Sequence, residues 1–204
     1  LLFANSYSTI KQAAEGVYKN KGSKFMAFAF PVLNEAEIKE RLLLLRKEHP
    51  SARHHCYAWR LGADKSAYRV NDDGEPSNTA GKPVFSQIQS NDLTNILIVV
   101  VRYFGGTLLG VSGLINAYKS AAANAIENSV IEEKFILFEY KIEFSFEDMN
   151  YLMKVLKDCD CNVISQDYSE VNAITFRVKK EEAEKFQSRI SSLYKAKLSY
   201  IRTL

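Results

Sequence analysis

Apolar and polar positions change rhythm several times along the chain, and each change predicts an element. The densest apolar run, residues 96–101, has no polar position and reads as a strand buried on both faces. Residues 8–18 and 23–32 predict two strands around the turn Asn20-Lys21-Gly22. In Phe25-Met26-Ala27-Phe28-Ala29-Phe30 the apolar positions scarcely alternate, which again predicts cover on both faces. Asn34 followed by Glu37 forms a capping box, and Ile38, Leu42 and Leu45 share one face of the helix that Pro50 stops. Residues 54–61 predict the next strand and 68–70 a short companion. Residues 71–83 are dense in turn formers, and Pro83 suits the first turn of a helix reaching Ser90. After the strand at 96–103 come the glycines Gly105, Gly106, Gly110 and Gly113, then a helix N-capped by Ser112. Its packed face is Leu114, Tyr118, Ala121, Ala122 and Ala125, where small side chains predict a close helix–sheet approach.

The pattern changes near residue 130. Strands are predicted at 134–145, 161–168, 171–179 and 196–203, and helices at 147–158 and 180–194. Met149, Leu152, Met153 and Leu156 stripe the first helix; Ala183, Phe186, Ile190 and Leu193 stripe the second. The order βαββαβ is the ferredoxin-like arrangement. The chain therefore reads as an α+β protein of two domains, 1–131 and 132–204. The second has neither glycine nor proline beyond residue 134 and reads as a packing and interaction module.

Composition adds limits. Hydrophobic residues make up 47 % and charged residues 25 %, so a core can form without staples. The net charge of +3 arises before residue 135, with 16 Lys and Arg against 13 Asp and Glu; the remainder balances at 11 against 11. That bias is weak for a dedicated nucleic-acid binder. Cys56, Cys159 and Cys161 form no disulfide framework and no CxxC pair, which points to a reducing, cytoplasmic compartment. No apolar run approaches the roughly 18 residues of a membrane span, and Leu1-Leu2-Phe3-Ala4 is too short for a signal core.

The candidate chemistry sits in two loops. Gly105 to Gly110 fits half of a phosphate-binding P-loop, but Val111-Ser112 replaces the required Lys-Ser/Thr, and the glycines miss the GxGxxG spacing. What remains is either a tight strand-to-helix turn or an anion site at the N–H groups near Ser112. Arg102, where the buried strand emerges, can clamp a phosphate or carboxylate, or pair with Asp72, Asp73 or Glu75. Those three acids lack cation-loop spacing and read as a structured turn. Thr79, Gly81 and Lys82 give the same loop a mix of donors that suits function. His54 and Cys56 share one strand face and His55 takes the other, so neither a metal nor a Cys–His nucleophile fits. No metal and no cofactor is expected.

Four ordered motifs then carry a resemblance. They are Gly22-Ser23-Lys24-Phe25, His55-Cys56-Tyr57-Ala58, Asp72-Asp73-Gly74-Glu75-Pro76-Ser77 with Thr79-Ala80-Gly81-Lys82-Pro83, and Val101-Arg102-Tyr103-Phe104-Gly105-Gly106. Together they resemble the N-terminal domain of the IMPACT / YigZ family over residues 8–128, and the tail resembles the C-terminal domain of its bacterial two-domain members. The resemblance implies an N-terminal domain like the second domain of ribosomal protein S5 and a ferredoxin-like C-terminal domain. It also implies a link to translation, since the eukaryotic relative is implicated in translational stress control. Two departures stand out: Ser77-Asn78-Thr79 where the family often has Ser-Gly-Thr, and Gly110-Val111-Ser112-Gly113-Leu114-Ile115-Asn116 where it has a further glycine and an arginine.

The expectation is a cytoplasmic binding or regulatory protein whose partner belongs to the translation machinery. Its polar surface site would comprise Lys24, His55, Asp72, Asp73, Glu75, Ser77, Thr79, Lys82, Arg102, Tyr103, Gly105, Gly106 and Ser112. The alternatives are an RNA- or ribosome-binding module, using Lys24, Lys82, Arg102 and Lys119 on phosphates, and an enzyme on a small anionic substrate with Asp73 or Glu75 as acid/base.

Overall fold

The computed structural model describes residues 4–204; the apolar start Leu1-Leu2-Phe3 lies outside the described residues. The architecture is mixed α and β, with five α-helices and three sheets among the described residues, in two compact units. One comprises Ser8–Lys134, the other residues 4–7 with Phe135–Leu204.

In the first unit β2 (Ala14–Asn20), β3 (Ser23–Pro31), β4 (His54–Leu61), β5 (Ala67–Asn71) and β6 (Ile96–Tyr103) form one sheet in the order β2-β3-β6-β4-β5. Every pairing in it is antiparallel. The central strand β6 is buried from Ile96 to Arg102, as its sequence predicts for 96–101, because its alternate side chains enter two different cores. Ile96, Ile98 and Val100 meet α2 (Gly81–Ser90) and α3 (Gly110–Glu127), while Leu97, Val99 and Val101 meet α1 (Glu35–Glu48). Each such branched side chain contributes about 1.5–3 kcal/mol by leaving water. β3 is sandwiched likewise, with Phe25, Ala27 and Ala29 on the α2/α3 side and Phe28 on the α1 side. The N-terminus of α1 is closed as predicted: the Glu37 N–H donates to Asn34, and Leu33 N–H donates to the Glu37 carboxylate. Close helix–sheet packing is also present. A Cβ on Gly16 of β2 would run into the backbone of Ala125 in α3.

Several boundaries differ from the sequence reading, among them the end of the helix expected over 180–194, which stops at Ile190, and three differences change how elements are divided or capped. The strand expected over 8–18 is two strands, because β1 (Ser6–Ile10) pairs with β7 (Ile131–Phe135) in a separate ribbon and only β2 joins the main sheet. The strand expected at 134–145 is likewise split, β7 giving way to β8 (Leu137–Glu143) across Ile136. Ser112 is not an N-cap: α3 starts at Gly110, after Leu109, which leaves Ser112 within the first turn.

The second unit follows the order β8, α4 (Met149–Asp158), β9 (Asn162–Asp167), β10 (Ala173–Lys179), α5 (Lys180–Ile190), β11 (Lys197–Thr203). Its antiparallel sheet runs β11-β8-β10-β9. Leu152, Val155 and Leu156 of α4 and Ala183, Phe186 and Ile190 of α5 are buried in its core. Met153, expected in the apolar stripe, is exposed; Val155 takes the inward position.

Candidate functional site

A strand's period of two sorts the candidate residues before any side chain is considered. The register sets His54 opposite Arg102, and Arg102 opposite Phe25, so these three share the face carrying α2 and α3. His55 lies opposite Val101 and Lys24 opposite Tyr103, on the face carrying α1. Lys24, His55 and Tyr103 therefore do not join Arg102 in one site. Tyr103 instead meets His49, the C-cap of α1, hydroxyl to Nδ1, at 2.8 Å. His55 is 4 % exposed with Nε2 unpartnered, and burial lowers its pKa.

The two loops do meet. Arg102 Nη1 donates to Glu75 Oε1 at 2.6 Å, with both side chains over nine-tenths buried. The Tyr118 hydroxyl of α3 donates to the same oxygen at 2.7 Å. Cys56 Sγ lies 3.3 Å from that hydroxyl and 3.0 Å from the Asp72 carbonyl, so its single proton serves one acceptor at a time. Burial pushes the Cys56 thiol and the Tyr118 phenol far up, so both stay protonated at neutral pH and Tyr118 remains a donor to Glu75. A thiol held that way is no nucleophile. His54 Nδ1 donates to the Asp73 carbonyl at 2.8 Å, which leaves Nε2 3.9 Å from Glu75 Oε1. Arg102 also lies over the rings of Phe25 and Phe104.

The remaining acids hold the loop. Asp72 Oδ1 accepts from Ala80 and Gly81 N–H, satisfying the first turn of α2, and Oδ2 accepts from Asn78 N–H. Asp73 accepts from His55 N–H at 2.7 Å and from Arg46 of α1 at 2.9 Å. Burial would raise the Asp73 pKa, but these two donors outweigh it and hold the carboxyl below its usual range. Thr79 is buried and donates to the Pro76 carbonyl. Asn78 has φ 63°, the left-handed conformation that asparagine tolerates, so the turn forms here without a glycine. Gly105 lets the second loop fold against Gly22-Ser23: its N–H donates to Ser23 Oγ, and a Cβ there would overlap the Gly22–Ser23 peptide. Ser77, Lys82, Gly106 and Ser112 are exposed, with no part in the Glu75–Arg102 contact.

Between the loops lies a cleft of about 380 Å³. Arg53, His54, Glu75 and Arg102 supply its polar part, and Phe104, Leu108, Leu109, Val111 and Leu114 most of its apolar wall. Sequence reasoning missed Tyr118, His54 and Arg53. A lone phenol in an alanine-rich helix stripe was the available signal for Tyr118, because a buried tyrosine hydroxyl needs a partner. His54 and Arg53 needed the strand register, which the sequence does not disclose.

Comparison with known proteins bears on the whole chain. The model of the Impact N-terminal domain matches residues 21–126. The IMPACT family member YigZ of Escherichia coli (strain K12) is 33 % identical over 159 residues, covering 77 % of this chain and 78 % of that protein. The IMPACT family member YvyE of Bacillus subtilis (strain 168) is 33 % identical over 160 residues, covering 74 % of each. A solved structure described as a hypothetical protein is 29 % identical and covers 98 % of this chain and 99 % of its own, with a TM-score of 0.77. The four motifs, the matched domain and these relatives agree: the chain belongs to the IMPACT family.

Proposed function

We propose that the chain is a cytoplasmic, non-enzymatic binding protein that regulates translation by holding a protein partner at the cleft between its 71–83 and 102–113 loops. The buried Glu75–Arg102 pair carries this reading, because it fixes both loops as opposing parts of one concave surface. Within the same reading, the first unit is an S5-domain-2-like domain and the second a ferredoxin-like one. The βαββαβ order and the sheet order β11-β8-β10-β9 support the latter. An inert Cys56 favours binding over nucleophilic chemistry. The cations an RNA backbone would need are not gathered: Arg102 is committed to Glu75, and Lys24 sits on the opposite sheet face.

Affinity capture from native cytoplasm, with and without nuclease, tests this. Wild type is expected to retain a translation-machinery protein through nuclease treatment. Leu108→Asp, at an 82 % exposed rim position, is expected to lose it without altering the fold. Release by nuclease would favour the RNA reading, and capture indifferent to Leu108→Asp would remove the cleft from the role.

A further inference from the structure

Three features of the cleft in the first unit point to one kind of ligand. Its floor includes Arg102, only 6 % exposed, whose Nη1 is taken by Glu75 while Nε is buried without a partner. Beside it α3 begins at Leu109–Gly110 with no side-chain cap and no acidic residue in the first turn, and Leu109, Gly110 and Val111 line the cleft. Unpaired N–H groups and the positive end of the helix dipole therefore border the same space. The rim is apolar and open to solvent at Phe104, Leu108 and Val111.

Charge decides between the anions that such a place could hold. Glu75 offsets Arg102, so Arg53 leaves a surplus of one positive charge among the arginines and glutamate that line the cleft. A second negative charge on the ligand would meet the Glu75 carboxylate with nothing to balance it. A phosphate dianion is thus disfavoured and a monoanion favoured. A volume near 380 Å³ sits at the small end of ligand sites, enough for an anionic head and a short apolar stem.

We propose that the cleft binds a carboxylate carried on an apolar stem, with the carboxylate between the α3 N-terminus and the Arg53/Arg102 side and the stem against Phe104, Leu108 and Val111. This rests on the cleft being the binding site, as argued above, and adds what it recognises. A free aliphatic acid and the C-terminal carboxylate of a polypeptide ending in an apolar residue share this chemistry.

Calorimetric titration of the full chain separates the cases. The probes are octanoate, octanamide, octyl phosphate, and a hexapeptide ending in leucine with a free or an amidated C-terminus. At least one acid is expected to bind about tenfold more tightly than its amide, the loss expected for a charge-assisted hydrogen bond. Arg53→Glu and Leu108→Asp, both at exposed positions, are each expected to weaken that acid about tenfold. Preference for octanoate assigns the site to small acids, and preference for the peptide assigns it to a chain terminus. Amides that bind as well as acids, or octyl phosphate that binds better than octanoate, overturn the inference. If every acid fails while partner capture still depends on Leu108, the inference falls and the binding function stands. If octanoate binds while capture ignores Leu108→Asp, the partner reading falls instead.

Discussion

Each unit buries one glutamate against arginine, and the two are built differently. Glu75 in the first unit is 8 % exposed and takes one guanidinium and one phenol, both buried. Glu139 of β8 in the second is 6 % exposed, yet it is shared by Arg177 from β10 and Arg202 from β11, whose side chains are 31 % and 56 % exposed. The Glu139 cluster spans three adjacent strands and keeps its cations in reach of water. The Glu75 cluster joins two loops at the floor of a cleft, and its cation cannot turn to water if the partner is lost. Exposure of the arginine, more than burial of the acid, separates an ion pair that decorates a sheet from one that defines a site.

The largest expected effect tests that difference directly. Arg102→Met keeps the unbranched apolar start of the side chain, loses the guanidinium and its contact over Phe25, and leaves the Glu75 carboxylate buried with Tyr118 as its remaining hydrogen-bond donor. A loss of roughly 3–5 kcal/mol is expected. Trp59, the chain's single tryptophan and part of the first unit, reports it in urea unfolding by fluorescence. Adding Glu75→Gln removes the stranded charge and keeps an acceptor for Tyr118. The double variant should therefore be more stable than Arg102→Met alone. If it is less stable, the pair is not what holds the loops.

How far the site was legible follows from the same residues. The chain's rhythm predicted β6, its burial on both faces, the α1 capping box and the βαββαβ order, since each depends on neighbours within a few positions. The motifs at 71–83 and 101–106 marked both walls of the cleft. The sequence could not show which of Asp72, Asp73 and Glu75 reaches Arg102. All three are acidic and within four positions; only the left-handed turn at Asp73 and Gly74 sends Glu75 inward while Asp72 caps α2. Lys24, His55 and Tyr103 entered the expected site because their motifs adjoin it, and strand alternation then placed them on the far face. Nor did periodicity disclose the break at 136, where the apolar run Phe135-Ile136-Leu137 continues while the partner strand changes; at 11–13 the polar pair Lys11-Gln12 was the one local sign of the break.

Acid should erode both units, through different carboxylates. Asp73 is held low by His55 N–H and Arg46 despite burial, and Glu139 is held low chiefly by Arg177, with Arg202 adding to it. A depressed carboxylate binds its proton less readily folded than unfolded. Its contribution is therefore complete above the unfolded values, 3.8 for Asp73 and 4.5 for Glu139, and is lost as pH falls through the lower folded ones. Asp73→Asn, which suits the φ of 41°, should flatten the acid limb of Trp59-detected stability. An unchanged limb would remove Asp73 from acid sensing.

The smallest effect is expected from Glu139→Gln. The amide keeps an oxygen for Arg177 and Arg202, and both guanidinium groups can turn outward, being already partly solvated. The loss should stay within about 1 kcal/mol, as for exposed pairs, when read from circular dichroism in urea. The acid here is buried as deeply as Glu75, so set beside Glu75→Gln, which strands the buried Arg102 charge, the substitution holds acid burial nearly constant and varies the exposure of the cations. A cost equal to that of Glu75→Gln would mean that burial of the carboxylate sets the energy in both units. The Glu75 cluster would then lose the physical ground on which it is distinguished from an ordinary structural ion pair.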